Sequence, residues 1–261
     1  MSHKYSEITQ KMMRVKPWLK AATSRLPGIQ PLDLRDWVWV DDAFNRQMLY
    51  REYLMNNQAN AVLAMRKEAN AAVDELLEML VAHLKTVDGY LVSSKGVMRP
   101  DGVLVPLDKW PAIETIGRLG QQDFCVLTKQ CDEHVLQAAA LCFPASWRLD
   151  EKIGRPMVAI HEPVDNYSVV MAKKVQKMFD LMRPEQPLWR ANCLIYSDPD
   201  LFQPRREDIK RQLTGTKRWV RVERQALRKL PQSGAIVFGI HSFVVPEERM
   251  SGEDRAHLNL G

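Results

Sequence analysis

The chain has no run of about 18 consecutive apolar residues, the length that a membrane-spanning helix needs. Its N-terminal segment has basic residues but no apolar core followed by a small-residue cleavage site, so it lacks the pattern of a secretory signal. With 46% hydrophobic and 26% charged residues, the composition is that of an ordinary globular protein. We therefore expect a cytoplasmic protein without a membrane segment.

Cysteine is scarce, since the chain has four and no two of them are spaced as Cys-x-x-Cys. This argues against a structural zinc site and against a redox-active dithiol. Three of the cysteines have apolar neighbours, and we expect them to be reduced residues of the core. They are Cys125, Cys142 and Cys193.

Several catalytic and nucleotide-binding motifs are also absent. The sequence has no Gly-x-Gly-x-x-Gly turn, no Gly-x-Ser-x-Gly and no pair of histidines with zinc-ligand spacing. It also has no set of cysteines that could ligate an iron–sulfur cluster. The electrons for any redox reaction would therefore have to come from another chain.

A large excess of charge of one sign is missing too. Lys and Arg number 37 and Asp and Glu number 32, which gives a net charge of +5. The basic residues form no run interleaved with aromatic residues, so we do not expect nucleic-acid binding. A mildly basic surface would suit docking of an acidic electron-transfer protein through electrostatic steering.

Composition divides the chain into three parts. Residues 1–34 are predicted to form an extended arm, because three prolines break any long helix there. A single domain is predicted at residues 35–247, and residues 248–261 have so little to bury that a flexible tail is expected. The three prolines are Pro17, Pro27 and Pro31.

The first half of the domain contains the clearest helical patterns. The sequence "DWVWVDD" (36–42) indicates a short strand, and residues 43–57 indicate a helix with Asp42 as its N-cap. Between 58 and 87, apolar residues recur every three or four positions and predict one long helix. Its apolar stripe consists of Val62, Met65, Ala69, Val73, Leu76, Leu80 and Leu84.

The second half is rich in branched and aromatic residues that occur in short runs, which predict strands. One helix, from Tyr167 to Met182, interrupts them. Because most of these strands follow one another along the chain without a helix between them, the sequence favours an α+β fold over a doubly wound parallel sheet. We expect an antiparallel β-sheet flanked by helices. The runs are "DFCVLTK", "HVLQAAALCF", "LWRANCLIYS", "RWVRVERQALRKL" and "AIVFGIHSFVV".

Histidine is the residue type best suited to hold a metal or a cofactor in this chain. His83 lies on the predicted long helix without a partner spaced as in a metalloprotease. His161 follows an apolar stretch and precedes "EPVDNY", where it could bind a cofactor or serve as a hydrogen-bonded structural residue. His134 and His241 are open to the same two interpretations.

Charged and amide side chains interrupt two of the predicted strands. Because side chains alternate between the faces of a strand, Glu223 and Gln225 share one face and Arg224 takes the other. One interpretation is a charged outer face of the sheet. The other is an arginine that holds an anionic cofactor group and a carboxylate close to a substrate. The residues concerned are Arg190, Asn192, Arg221, Glu223, Arg224 and Gln225.

Five blocks in this order resemble the haem-dependent oxidative N-demethylase family: "LPGIQPLDLRDWVWVDDAFNRQMLYREYL", "GRLGQQDFCVL", "LCFPASWRLDEKIGRPMVAIHEPVDNY", "WRANCLIY" and "RWVRVERQALRKLPQSGAIVFGIHSFVVP". The resemblance implies a PAS-like fold that binds haem b without a Cys-x-x-Cys-His attachment motif. It also implies use of dioxygen, and of electrons from a separate reductase or ferredoxin, to remove a methyl group from a secondary amine such as dimethylamine. Formaldehyde would be the other product.

The resemblance assigns roles to five residues. His161 is the expected axial ligand of the haem iron. Arg224 is expected to hold a haem propionate through paired, charge-assisted hydrogen bonds and to lie at the catalytic site with Glu223. Glu223 would orient a protonated amine. Arg190 and Tyr167 complete the predicted haem-binding set.

The chain departs from the pattern of the family at four positions. Gln122 stands where an acid is common, Cys193 stands where tryptophan is usual, and Asp165 and Asn166 replace a proline and a glycine. If these residues line the pocket, the choice of amine would change and the fold would not.

Other interpretations remain open from the sequence. A PAS-like domain can also be a haem-based sensor or carrier without catalysis, or an interaction domain without haem. Ligation of the iron by Cys142 or Cys193 is a chemical variant of the enzyme hypothesis. His134 and His241 are rivals of His161 as the ligand.

Overall fold

The computed structural model describes residues 8–24, 27–161 and 169–260. Its centre is a seven-stranded sheet in which all neighbouring strands are antiparallel, and a second sheet has three strands. The strands are β1 (Gln30–Pro31), β2 (Leu63–Met65), β3 (Leu91–Ser93), β4 (Gly96–Met98), β5 (Leu104–Val105), β6 (Asp123–Gln130), β7 (Glu133–Ala140), β8 (Leu188–Tyr196), β9 (Trp219–Lys229) and β10 (Ile236–Pro246).

The strand order of the large sheet is β1-β8-β9-β10-β6-β7-β2. The hairpin of β6 and β7 therefore lies beside the last three strands, with β10 next to β6, and helices occupy the crossover from β7 to β8. This is the topology of PAS-like domains. The predicted α+β fold, with an antiparallel sheet flanked by helices, is confirmed.

Most helices lie before β6 or in the crossover. A 3-10 turn at Lys67–Ala69 leads directly into α4 and lengthens it at its N-terminus. No helix within the described ranges is both long and apolar enough to span a bilayer. The α-helices are α1 (Ala21–Ser24), α2 (Phe44–Asn57), α3 (Ala59–Val62), α4 (Asn70–Leu84), α5 (Ala112–Leu119), α6 (Leu149–Lys152), α7 (Met157–His161), α8 (Val169–Leu181) and α9 (Gly252–His257).

The two faces of the large sheet bury different layers. We call the face toward α7 and α8 the inner face, where Leu127, Leu227 and Phe238 pack with Phe179 of α8. We call the face toward α4 and α5 the outer face. It buries the alternate residues of the same strands, as expected for a sheet that is covered on both sides. Its core includes Val126, Ala226 and Val237 from the sheet and Leu76, Leu80 and Ile116 from the helices.

A buried ion pair joins α2 to the start of β6. Arg51 Nη1 lies 2.5 Å from Asp123 Oδ1, and both side chains are 0% exposed. Asp123 also accepts hydrogen bonds from the backbone N–H groups of Cys142, at 2.8 Å, and Phe143, at 2.9 Å. One carboxylate therefore ties α2 to the sheet and to the segment after β7.

The prediction of a strand at residues 36–42 is wrong, because the segment crosses the outer face without pairing. Trp37 and Val38 are buried there, and Asp36 accepts a hydrogen bond from Arg224 through its backbone oxygen. The helix predicted at 43–57 is confirmed as α2, but Asp42 does not cap it. Instead, Asp41 Oδ1 accepts a hydrogen bond from the N–H of residue 43 at 2.9 Å.

The long helix predicted between residues 58 and 87 is confirmed only in its second part, as α4. Its first part is interrupted by β2, which pairs with Ala138–Ala140 at the edge of the large sheet. Helical periodicity is a local signal, and hydrogen bonds to a distant strand override it here. Helices α5, α6 and α7 were not predicted.

The arm and the tail contact each other. In the arm, Met13 and Val15 are buried against β8 to β10. Residues 252–257 form α9, in which Asp254 is 1% exposed and accepts hydrogen bonds from Lys16 Nζ at 2.7 Å and Trp18 Nε1 at 2.9 Å. The expectation that residues 248–261 bury little is therefore wrong for Asp254, because the arm supplies its partners.

Candidate cofactor site on the inner face

A row of polar side chains crosses the inner face on β8 and β9. Arg190 pairs in register with Gln225, and Asn192 pairs with Glu223. The period of two places Glu223 and Gln225 on this face and Arg224 on the other, as the sequence predicted. The structure thus brings Arg190 and Glu223 together and separates Arg224 from them.

Glu223 is the centre of a hydrogen-bonded network and is 5% exposed. Its Oε2 accepts a hydrogen bond from Asn192 Nδ2 at 3.1 Å, and its Oε1 lies 3.3 Å from Arg221 Nη2. Arg221 also donates to the backbone oxygens of Leu201, at 3.0 Å, and Phe143, at 2.5 Å. These contacts fix the carboxylate and balance its charge. Arg221 was not predicted as its partner, although its spacing of two residues from Glu223 places both on one face.

Arg190 is a cation without a carboxylate partner in the described part of the chain. Its Nη1 donates to Gln225 Oε1 at 3.3 Å, and its buried Nε has no hydrogen-bond partner there. Burial lowers the pKa of Arg190, and the charge of Glu223 only partly offsets this effect. Because Arg221 already neutralises Glu223, the row carries one positive charge in excess. An anionic group would compensate it.

Apolar side chains adjoin this row on the inner face. Leu227 and Ile240 are buried next to it, and a border of partly exposed side chains surrounds their cluster. An apolar wall with a few polar groups at fixed positions is the usual lining of a cofactor site. The border includes Met157, Ile160, Val175, Met178, Leu188 and Phe238.

The segment before His161 is held firmly against this side of the sheet. Lys152 Nζ donates to the backbone oxygen of Ile160 at 2.7 Å and also pairs with Glu207. Arg155 pairs with Glu207 at 2.8 Å. His161 is the last residue of α7, so these contacts position the helix that carries it. Neither Lys152 nor Glu207 was predicted, since their contact joins distant parts of the chain and leaves no local pattern.

Three predicted positions lie outside the described residues. Tyr167, a predicted haem-binding residue, is one of them, and Asp165 and Asn166 are the others. The other two departures from the family pattern, Gln122 and Cys193, lie on the outer face or its edge and not in the polar row of the inner face.

The rival histidines both have structural partners. His134 Nδ1 lies 2.7 Å from Gln176 Nε2, and its ring packs edge-on against Phe179. Burial lowers the pKa of His134. His241 lies on the outer face, where its Nε2 is 2.9 Å from Asp41 Oδ2. Each ring therefore has a role in packing that does not involve a cofactor.

Arg224 lies on the outer face between two tryptophans. Its guanidinium carbon is 4.3 Å from the centre of the Trp39 ring and 5.7 Å from that of Trp189. Its Nη2 donates to the backbone oxygen of Asp36 at 2.6 Å. Burial lowers the pKa of Arg224 to about 10.

The cysteines are poor candidates for ligands. Burial raises the pKa of both Cys142 and Cys193 to about 12, and it also raises the pKa of Cys125. All three are free thiols, as the sequence predicted. Because the thiolate is the form that binds metal, these environments disfavour thiolate ligation.

The fold and this site define an α+β protein with a PAS-like sheet and an inner face suited to an amphipathic, anionic cofactor. Residues 28–260 match the model of the family described as haem-dependent oxidative N-demethylase, alpha subunit-like. The chain belongs to this family, which confirms the resemblance seen in the sequence. The description is that of one subunit of an enzyme, and it therefore points to further subunits. No curated protein matches the chain.

Proposed function

We propose that this chain is the haem-binding, oxygen-using subunit of an enzyme that removes a methyl group from a secondary methylamine such as dimethylamine. The observation that carries the proposal is the unpaired, desolvated Arg190 in an otherwise balanced polar row beside an apolar wall. Family membership supplies the identity of the cofactor.

The residues of the inner face fit a haem b. Arg190 would hold a propionate, which would provide the missing negative charge. His161, at the end of the anchored α7, would ligate the iron. Tyr167 stays in the proposed haem-binding set as a sequence-based assignment. When bound, the haem would activate dioxygen with electrons from outside the chain.

The substrate would lie next to Glu223. Its carboxylate is fixed by Asn192 and Arg221, so it could accept an N–H of a protonated amine without moving. Overall, the amine, one dioxygen, two electrons and two protons would give the shorter amine, formaldehyde and water. The role that the sequence gave to Arg224 is not proposed for this site, because Arg224 lies on the other face.

Replacing Glu223 with glutamine tests the substrate position. We expect the KM for dimethylamine to rise about tenfold, because one charged hydrogen bond worth about 1.4 kcal/mol would be lost. Steady-state formaldehyde release measures this. Glu133→Gln, at the exposed start of β7, is the matched control. An unchanged KM in Glu223→Gln would remove Glu223 from the substrate site.

The electron donor would be an acidic reductase or ferredoxin that docks on the β8–β9 loop, residues 197–218. Loops longer than roughly 12–15 residues are uncommon in compact domains and often have a function. This loop is longer than that. Of its four acids, Glu207 and Asp208 are already in ion pairs, and Asp198 and Asp200 accept hydrogen bonds from Gln203 and Tyr50. The loop exposes Ile209 and Leu213 together with two lysines, and three further basic residues are half-buried; none of the five has an acidic partner in the described part. The five are Arg205, Lys210, Arg211, Lys217 and Arg218.

Reversing charge on this loop tests the docking surface. With an acidic [2Fe–2S] ferredoxin as the donor, we expect Lys210→Glu combined with Lys217→Glu to slow haem reduction about tenfold at low salt. The difference should shrink as salt screens the charges. The control is Lys85→Glu combined with Lys95→Glu, which are exposed and lie outside the loop. Equal slowing in both double variants would contradict the assignment.

Turnover distinguishes the enzyme from its alternatives. The protein loaded with haem, supplied with a chemical reductant, dioxygen and dimethylamine, should release formaldehyde in proportion to the dimethylamine consumed. A haem sensor or carrier would bind haem and diatomic gases and would release none. An interaction domain would show no Soret band even after addition of haem.

A further inference from the structure

Three polar side chains lie in a row on the outer face, on neighbouring strands. Arg224 of β9 is the register partner of His241 of β10. Gln122 immediately precedes Asp123, which pairs with Ile240, so Gln122 is placed beside His241. Arg224 is 3% exposed, His241 is 0% exposed and Gln122 is 1% exposed. We call Arg224, His241 and Gln122 the outer-face row.

Each member of the outer-face row has a buried polar atom without a hydrogen-bond partner among the described residues. These atoms are Arg224 Nη1, His241 Nδ1 and both amide atoms of Gln122. The Gln122 amide lies over Gly239, where an added Cβ would be only 2.5 Å from Nε2. Buried polar groups are almost always paired, so adjacent orphans indicate a missing partner.

The charge around the row identifies the kind of partner. The nearby buried carboxylate, Asp41, is already held by His241 and by Gln121 and Gln10, at 2.6 and 2.9 Å. Arg224 is surrounded by tryptophan rings and a backbone oxygen, and the charge of Asp36, which Arg14 opposes, only partly offsets the effect of burial on its pKa. A water molecule could satisfy the orphaned N–H of Arg224, but it could not offset the buried positive charge. An anion could do both.

A cavity lies on the strand next to Arg224. It has a volume of about 440 Å³ and lies between the arm and β8. Its lining includes Pro17, Thr23 and Ala191, as well as Arg190 and Asn192 from the edge of the inner face, and Ala191 is the cross-strand neighbour of Arg224. The cavity therefore reaches the strand position next to the orphaned guanidinium.

We propose that the outer-face row binds a small carboxylate, of the size of formate or acetate. Arg224 Nη1 and Gln122 Nε2 would donate to its oxygens. His241, whose Nε2 is held by Asp41, would donate a third hydrogen bond through Nδ1–H as an imidazolium. The row spans two strand spacings, about 10 Å between the outermost backbones, so a larger anion would not fit between the side chains. This site is separate from the proposed haem site on the inner face and does not depend on it.

Thermal unfolding of the full chain, as purified, tests the site with sodium acetate as the probe and sodium chloride to hold the ionic strength constant. A ligand that binds only the folded state raises its unfolding midpoint. We expect a saturable rise of about 5 °C when acetate reaches about a hundred times its dissociation constant. Arg224→Gln and Gln122→Leu should each abolish the rise.

The acetate experiment has a control variant outside the row and a second variant within it. Arg211→Gln removes an arginine that stacks on the ring of Tyr196 outside the row, and it should retain the full acetate effect. Gln122→Leu keeps the side-chain volume and removes only the amide, so it still tests the site if the Arg224 variant does not fold. A midpoint shift that does not saturate, or that is equal in all variants, would overturn the proposal.

Discussion

Replacing His161 with alanine should remove the Soret spectrum of a histidine-ligated haem, both in the ferric protein and in the reduced, carbon-monoxide-bound protein. The imidazole would be the only protein bond to the iron, and haem b has no covalent attachment that would hold it otherwise. The change should lower the haem content of the purified protein by about tenfold or more, since loss of a residue that only hydrogen-bonds to a metal ligand already lowers metal affinity about 10–100-fold.

His257→Ala is the control for this experiment, because His257 is exposed on α9. Imidazole added to the His161 variant should restore the spectrum by occupying the vacated position. If the spectrum of His161→Ala matched that of the unchanged protein, the ligand would have to be sought at His134 or His241.

Replacing Arg51 with alanine should destabilise the fold more than any surface change. It would leave the Asp123 carboxylate fully buried without its cation, which typically costs about 3–5 kcal/mol. Urea unfolding followed by circular dichroism measures the loss. Arg35→Ala, in the exposed pair with Asp33, is the matched control and should leave the unfolding midpoint unchanged.

A double replacement separates charge from packing in this pair. Arg51→Met combined with Asp123→Leu removes both charges and keeps apolar volume, so it should recover part of the stability lost in Arg51→Ala. A double variant that is less stable than the single variant would show that the backbone hydrogen bonds to Asp123 matter more than its charge.

The strands of the second half were predictable because each long strand has its own local pattern. Alternation on β9 was sufficient to assign Glu223 and Gln225 to one face and Arg224 to the other. The sequence could not show which of these faces would be next to the crossover helices. The resemblance to the family assigned Arg224 to the haem, and the structure places it on the outer face.

Other features depend on contacts between distant residues and have no local signal. The aromatic segment at 36–42 has the composition of a strand, but its apolar side chains are buried by covering the sheet. Likewise, the pair of His241 with Asp41 joins residues that are 200 positions apart. The apolar stripe from Val62 onward predicted one helix because periodicity does not reveal an available sheet edge.

Anomalous diffraction at the iron edge, from crystals of the haem-loaded protein, would show which face of the sheet binds the haem. We expect one iron peak on the inner face, within bonding distance of the His161 side chain, with a propionate at Arg190. An iron peak on the outer face, or a propionate at Arg224, would contradict it.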